Sequence, residues 1–133
     1  MAGFSDAYEI AILDHVFING ALSQPTNLYV MLGGSTITDA HTGITVPNEV
    51  SGGGYLRVKC NTYSNAAAGS LTNTIKIEYA EATASYGTVT DFAVCDHSST
   101  GGIVGYGKVT VSKTVGIGDT AKFATNDLKA SLD

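Results

Sequence analysis

Cys95-Asp96-His97-Ser98 brings a thiol, a carboxylate, an imidazole and a hydroxyl into one tetrapeptide. These are the groups from which a nucleophile, its base and an orienting acid are drawn. Triads, however, are assembled from distant segments, and neighbours alternating at a strand end point away from one another. Followed by Ser99-Thr100-Gly101-Gly102, the Asp and Ser read as turn formers instead. Asp39 and His41 sit in a polar stretch where a cation could bind, but the alternating oxygen ligands of a calcium loop are missing. His15, beside Asp14, reads as a surface or interface histidine.

The two cysteines, Cys60 and Cys95, lack any CxxC spacing and fall in apolar segments. Two buried thiols are the leading reading; a disulfide between neighbouring strands and a metal site shared with a histidine are the alternatives. The 12 Asp and Glu are scattered singly, so no pair marks the acid and base of a glycosidase. No catalytic residue, cofactor-binding residue or metal ligand is assigned.

Ser51-Gly52-Gly53-Gly54-Tyr55 is the most unusual local feature. Three consecutive glycines let the backbone take φ > 0 or pass close to another surface. A phosphate cradle would need a Gly-Lys-Ser/Thr ending and a following helix, and neither is present. A structural turn or a contact with another chain fits better. The candidate interface is therefore Ser51, Gly52, Gly53, Gly54 and Tyr55, together with Asp39 and His41 of the preceding loop.

These residues need a frame. At 133 residues the chain fits one domain, 1–133, with room for a real core. Charged residues are only 14%, Gly is 16, and net charge is −5. Seven scattered Lys and Arg make no basic stripe, which argues against nucleic-acid binding. So few charges fit a surface partly covered by copies of the chain or by a larger partner. Residues 1–6 carry no positive n-region, and no apolar run is long enough to span a bilayer, so neither a secretory leader nor a membrane span is expected.

The periodicities predict one amphipathic helix over about 5–17, with Ser5 as N-cap and Asn19-Gly20 as its stop. Phe4, Tyr8, Ala11, Ile12 and Val16 form its stripe, which Ile10, Leu13 and Phe17 widen. Leu28–Leu32 reads as a central strand, and about 35–48 as a projecting loop or arm. The segment 54–60 alternates, with Leu56, Val58 and Cys60 on one face and Tyr55, Arg57 and Lys59 on the other. Strands are also expected over 71–79, 88–95, 103–111, 120–123 and 128–132, the last alternating through Leu128, Ala130 and Leu132 up to Asp133. The fold class is mainly β: an antiparallel β-sandwich or jelly-roll-like domain of seven or eight strands over about 28–132, with one N-terminal α-helix.

Several blocks carry a resemblance that covers nearly the whole chain in order. They are Gly3-Phe4-Ser5-Asp6 with Leu13-Asp14-His15-Val16-Phe17, Leu28-Tyr29-Val30-Met31-Leu32, and Glu49-Val50-Ser51-Gly52-Gly53-Gly54-Tyr55-Leu56-Arg57. Ala82-Thr83-Ala84-Ser85-Tyr86-Gly87-Thr88-Val89-Thr90 and Gly118-Asp119-Thr120-Ala121-Lys122-Phe123 continue it. Together they resemble small tailed-bacteriophage virion proteins often labelled tail fibre proteins; the 35–48 segment is longer here than in that pattern. The resemblance implies a non-enzymatic structural protein of the virion, made in the host cytoplasm, with no cofactor. Its expected partners are the major capsid protein or other virion proteins and its own copies, a trimer being the expected homo-oligomer. Compact size, low charge and the absence of a fibre-like repeat favour a capsid decoration or cement protein. The alternatives are a tail or tail-fibre component used in host attachment and a small host-entry hydrolase using Asp96 or His97.

Overall fold

The apolar residues of the second and sixth strands alternate onto both faces of the backbone, so both faces must be covered. The computed structural model, which describes residues 3–131, pairs these strands antiparallel within a five-stranded sheet. The elements are β1 (Gly3–Phe4), α1 (Asp6–Phe17), β2 (Tyr29–Gly33), β3 (Val58–Lys59), β4 (Ser70–Thr72), β5 (Ile77–Glu78), β6 (Gly87–Cys95), β7 (Ile103–Val115), β8 (Lys122–Phe123) and β9 (Lys129–Ser131). The sheet runs β1-β7-β6-β2-β3, while β4–β9 and β5–β8 form separate two-stranded sheets. Every pairing is antiparallel, giving the expected mainly β, sandwich-like fold with one helix. The described residues hold nine strands rather than seven or eight, because β1 is added and the expected strand over 71–79 is split. Leu132 and Asp133, at the end of the predicted last strand, lie outside the described residues, as do Met1 and Ala2.

Val30, Leu32, Phe92 and Val94 enter the larger core, which Ile77, Tyr79, Cys60 and Leu128 complete from the other segments. Met31, Ala93, Cys95 and Ile103 enter a smaller core on the opposite face. That second core is closed by Ile37, 2% exposed, with Val46 and Tyr106 packed against it. The segment 35–48 is therefore a cover folded onto the sheet, and the expected projecting arm is corrected. An uncovered apolar face would forfeit about 25 cal/mol for each Å² left in water, and this loop carries the side chains that prevent it.

The predicted strand over 71–79 breaks because Asn73 is wholly buried and its amide binds other segments. Its Nδ2 donates to the carbonyls of Ile75 (2.7 Å) and Ala124 (2.8 Å), and its Oδ1 accepts the Leu128 N–H (2.9 Å). Its backbone exchanges bonds with Leu128 and Asn126 as well. One side chain thus ties β4 and β5 to the turn between β8 and β9. Ile75 is left 46% exposed, while Ile77 and Tyr79 are buried as the alternation predicts.

Two departures shape the edges of the fold. β7 extends to Val115, and against β6 its register jumps from Lys108↔Asp91 to Lys113↔Val89. Residues 109–112 therefore bulge out opposite Thr90 alone. At the start of α1, Ser5 occupies the N-cap position, but its hydroxyl makes no cap bond and donates to the Ile103 carbonyl instead. The predicted capping role is corrected: Ser5 fastens the helix to β7. The helix ends as expected, with the chain reversing at Asn19 (φ 56) and the Gly20 N–H on the Asp14 carbonyl.

Cys60 and Cys95 are both buried free thiols. Burial pushes the Cys95 thiol up from its ordinary 9.0 to about 12, partly offset by the nearby Arg57.

Two outcomes follow from this packing. Asn73→Ala leaves two carbonyls and an N–H without partners, so urea unfolding should show a loss of about 2–3 kcal/mol. Because the Cys95 thiol stays protonated in the fold while the unfolded thiol ionises, stability should fall as pH rises from 9.0 towards about 12. Ellman's reagent at pH 8 should find no reactive Cys95 until denaturant is added.

Candidate assembly surface

The chain has a single arginine, Arg57, and it is 6% exposed. A buried guanidinium is tolerable only when its charge is matched and its donors are used. Glu49 supplies the charge in a two-pronged pair: Nε donates to Oε1 (2.7 Å) and Nη2 to Oε2 (2.7 Å). The Nη1 group donates to the carbonyls of His97 (3.1 Å) and Thr100 (3.0 Å), and Nη2 also donates to the Gly43 carbonyl. All five donors are spent. They clip three separate segments together: the cover loop at Gly43, the chain at Glu49 and the 96–102 turn. Gly43 is needed there because a Cβ would strike the carbonyls of Thr100 and Gly101.

This clip reverses the predicted faces of 54–57. Arg57 is inside and Leu56 is 77% exposed, and only Val58–Lys59 forms a strand. Tyr55, expected on the outer face, is half-buried against the larger core. Its ring stacks on Tyr79 (centroids 5.8 Å apart) and meets Tyr86 edge-on (5.7 Å). Its hydroxyl accepts the Leu32 N–H (2.9 Å) and donates to Glu49 Oε1 (3.3 Å), and burial raises its pKa well above the ordinary range.

The glycine run before it is a turn docked onto its own chain. Gly53 has φ +57, and a Cβ there would lie 2.6 Å from the Ala84 carbonyl oxygen, whose neighbour Thr83 donates its N–H to Gly53 (3.0 Å). Ser51, Gly52 and Gly54 are exposed. Asp39 and His41 are engaged locally: Asp39 Oδ1 accepts the Ala40 N–H (2.9 Å), and His41 Nδ1 accepts the Thr38 N–H (2.9 Å). The Asp39 carbonyl accepts the Asp6 N–H at the start of α1, whereas Gly53 docks on Ala84.

The reactive tetrapeptide is spent on its turn. Cys95 is fully buried, Asp96 Oδ1 accepts the Gly102 N–H (2.7 Å), and His97 Nδ1 accepts the N–H groups of Ser99 and Thr100 (both 3.2 Å). Among the described residues no three His, Cys, Asp or Glu side chains are grouped to hold a metal. None of their helices is long and apolar enough to cross a membrane.

The surface that stands out is α1, which buries none of its residues. Tyr8, Ala11 and Ile12 are half-buried towards the body. Ile10 (59% exposed), Leu13 (56%) and Phe17 (77%) share the opposite face at i, i+3 and i+7, and Val16 and Ile18 extend it. Asp6, one turn before Ile10, shares that face, and Glu9 and Asp14 flank it. The expected amphipathic helix is thus corrected: apolar residues occupy two sides, and only one is covered. The signal was present in the contiguous Ile10-Ala11-Ile12-Leu13, which no single stripe can absorb.

Arg57→Ala strands a half-buried carboxylate and three carbonyls, and should cost about 3 kcal/mol in denaturant unfolding. Arg57→Lys keeps the charge but loses the fork, and should still cost about 2 kcal/mol.

The family model for podophage GP4 fiber I protein gp80 matches residues 3–131. No curated protein matches the chain. The family match runs over α1, all nine strands and both partners of the Arg57 clip. On that span, the chain belongs to the podophage GP4 fiber I protein gp80 family.

Proposed function

We propose that this protein is a fibre-class structural subunit of a podophage virion that joins its assembly through the exposed face of α1. The observation that carries the reading is the unburied apolar face of Ile10, Leu13, Val16 and Phe17, in a chain with only 14% charged residues. Large exposed apolar residues clustered on one element mark a surface that another protein covers. The fixed Arg57 clip and the turn-bound Asp96 and His97 leave the reactive groups in structural roles, which supports a binding rather than a hydrolytic part. The family's fibre description favours a tail or fibre component over the capsid decoration expected from size and charge. Its partners in this reading are other virion proteins and copies of itself.

Quantitative mass spectrometry of purified particles should find the chain at a small fraction of the major capsid protein, with immunogold label confined to one vertex. Label spread over the head at near-capsid copy number would overturn the fibre reading in favour of decoration, and absence from particles would overturn both. Phe17→Asp should fold normally and fail to be incorporated.

A further inference from the structure

Charge is divided unevenly along the chain. The first Lys or Arg is Arg57, and Asp6, Glu9, Asp14, Asp39 and Glu49 precede it. Three of those acids, Asp6, Glu9 and Asp14, surround the bare apolar face of α1. The opposite combination occurs at the far end of β7. There the 109–112 bulge and β8 wall an open cleft of about 610 Å³, floored by Leu32, Tyr79, Val89, Phe92 and Phe123.

Lys108, Lys113 and Lys122 line the cleft and are exposed. The ion pairs among the described residues are Arg57–Glu49 and Lys76–Glu78, so none of these three lysines has a described carboxylate within pairing distance. Asp119 and Asp127 also line the cleft, but each has an oxygen on a turn N–H, of Gly116 and Ala124 respectively (both 2.8 Å). Glu78 lies opposite Lys122 in the β5–β8 register but pairs with Lys76 at 2.6 Å.

We infer that the cleft receives α1 of a second copy of this chain. The apolar face of the helix matches the apolar floor, and its three acids meet the three lysines. Within one chain the two surfaces lie at opposite ends of β7: Ser5 bonds to Ile103 and Val104, whereas the cleft begins at Lys108. The contact joins two different patches, the helix of one copy and the cleft of another. Repeated head to tail it closes a ring when the rotation fits, and the smallest closed form is a two-fold dimer in which each copy's helix enters the other's cleft. This inference rests on α1 being the assembly surface and adds what covers it.

The test is sedimentation of the purified full-length chain. The wild type should self-associate, and raising NaCl to about 1 M, where screening is complete within about 3 Å, should weaken association about tenfold. Phe17→Asp alone and Lys113→Glu/Lys122→Glu alone should each be monomeric, with unchanged circular dichroism because all three positions are exposed. Mixed together, each variant still offers one intact surface, so the pair should form a 1:1 heterodimer and nothing larger. A wild type that stays monomeric at every concentration overturns the inference. So does dissociation by Phe17→Asp but not by the lysine double variant, which would mark helix-to-helix pairing. If the wild type is monomeric yet Phe17→Asp still fails to enter particles, only the self-docking falls. If Phe17→Asp enters particles normally, the assembly role of α1 falls.

Discussion

The structure depends on one buried arginine and the half-buried glutamate paired with it. Arg57 and Glu49 sit at the junction of the cover loop, the glycine run and the β6–β7 turn, and no backbone ladder joins these three segments as a sheet would. A guanidinium taken out of water is tolerable only with all its donors placed, so the site admits essentially one arrangement of the surrounding carbonyls. That demand fixes Gly43 against the 96–102 turn and turns Leu56 outwards. It also places the Tyr55 hydroxyl between the Leu32 N–H and Glu49. Two polar interactions, this one and the Asn73 hub, organise what short strands cannot. Five of the nine strands have three residues or fewer besides β1, and pairs this short hold little by themselves.

Much of this was legible in the residues. Leu28–Leu32 and Thr88–Cys95 announce strands covered on both sides, and the structure places them side by side within the sheet. The Asn, Gly and Asp turns fall where they were expected. What could not be read was how the second face would be covered. Segment 35–48 has no periodicity, so its single decisive residue, Ile37, carries no local signal. The alternation over 54–60 misled because a charged residue in a strand pattern is assigned outwards by default. Here the partners that make burial tolerable come from positions 43, 49, 97 and 100, and no local window holds them together. The break at Asn73 escaped for the same reason, since its amide is satisfied by Ala124 and Leu128.

The candidate surface was half legible. Glycines 52–54 were singled out because they free the backbone, and Gly53 does need that freedom, but for an approach to Ala84 in its own chain. The expected stripe of the helix counts Ile10, Leu13 and Phe17 together with Tyr8, Ala11 and Ile12. The structure packs the helix against β7 and half-buries only the side bearing Tyr8, Ala11 and Ile12. A helix with more apolar surface than its own fold can use is a different object from an amphipathic one, and sequence periodicity does not distinguish the two.

The bulge at 109–112 has a consequence for how copies of a sheet protein avoid one another. Among the described residues β1 pairs with Gly105 and Tyr106, and no described strand lies beside the outer rim of β7 beyond them. A straight rim of that length would invite another backbone to add to it, with no limit on how many chains followed. The kink, with a lysine on either side of it, spoils the regular spacing such growth requires. A rim broken in this way disfavours the addition of another backbone, so any contact made there is left to side chains.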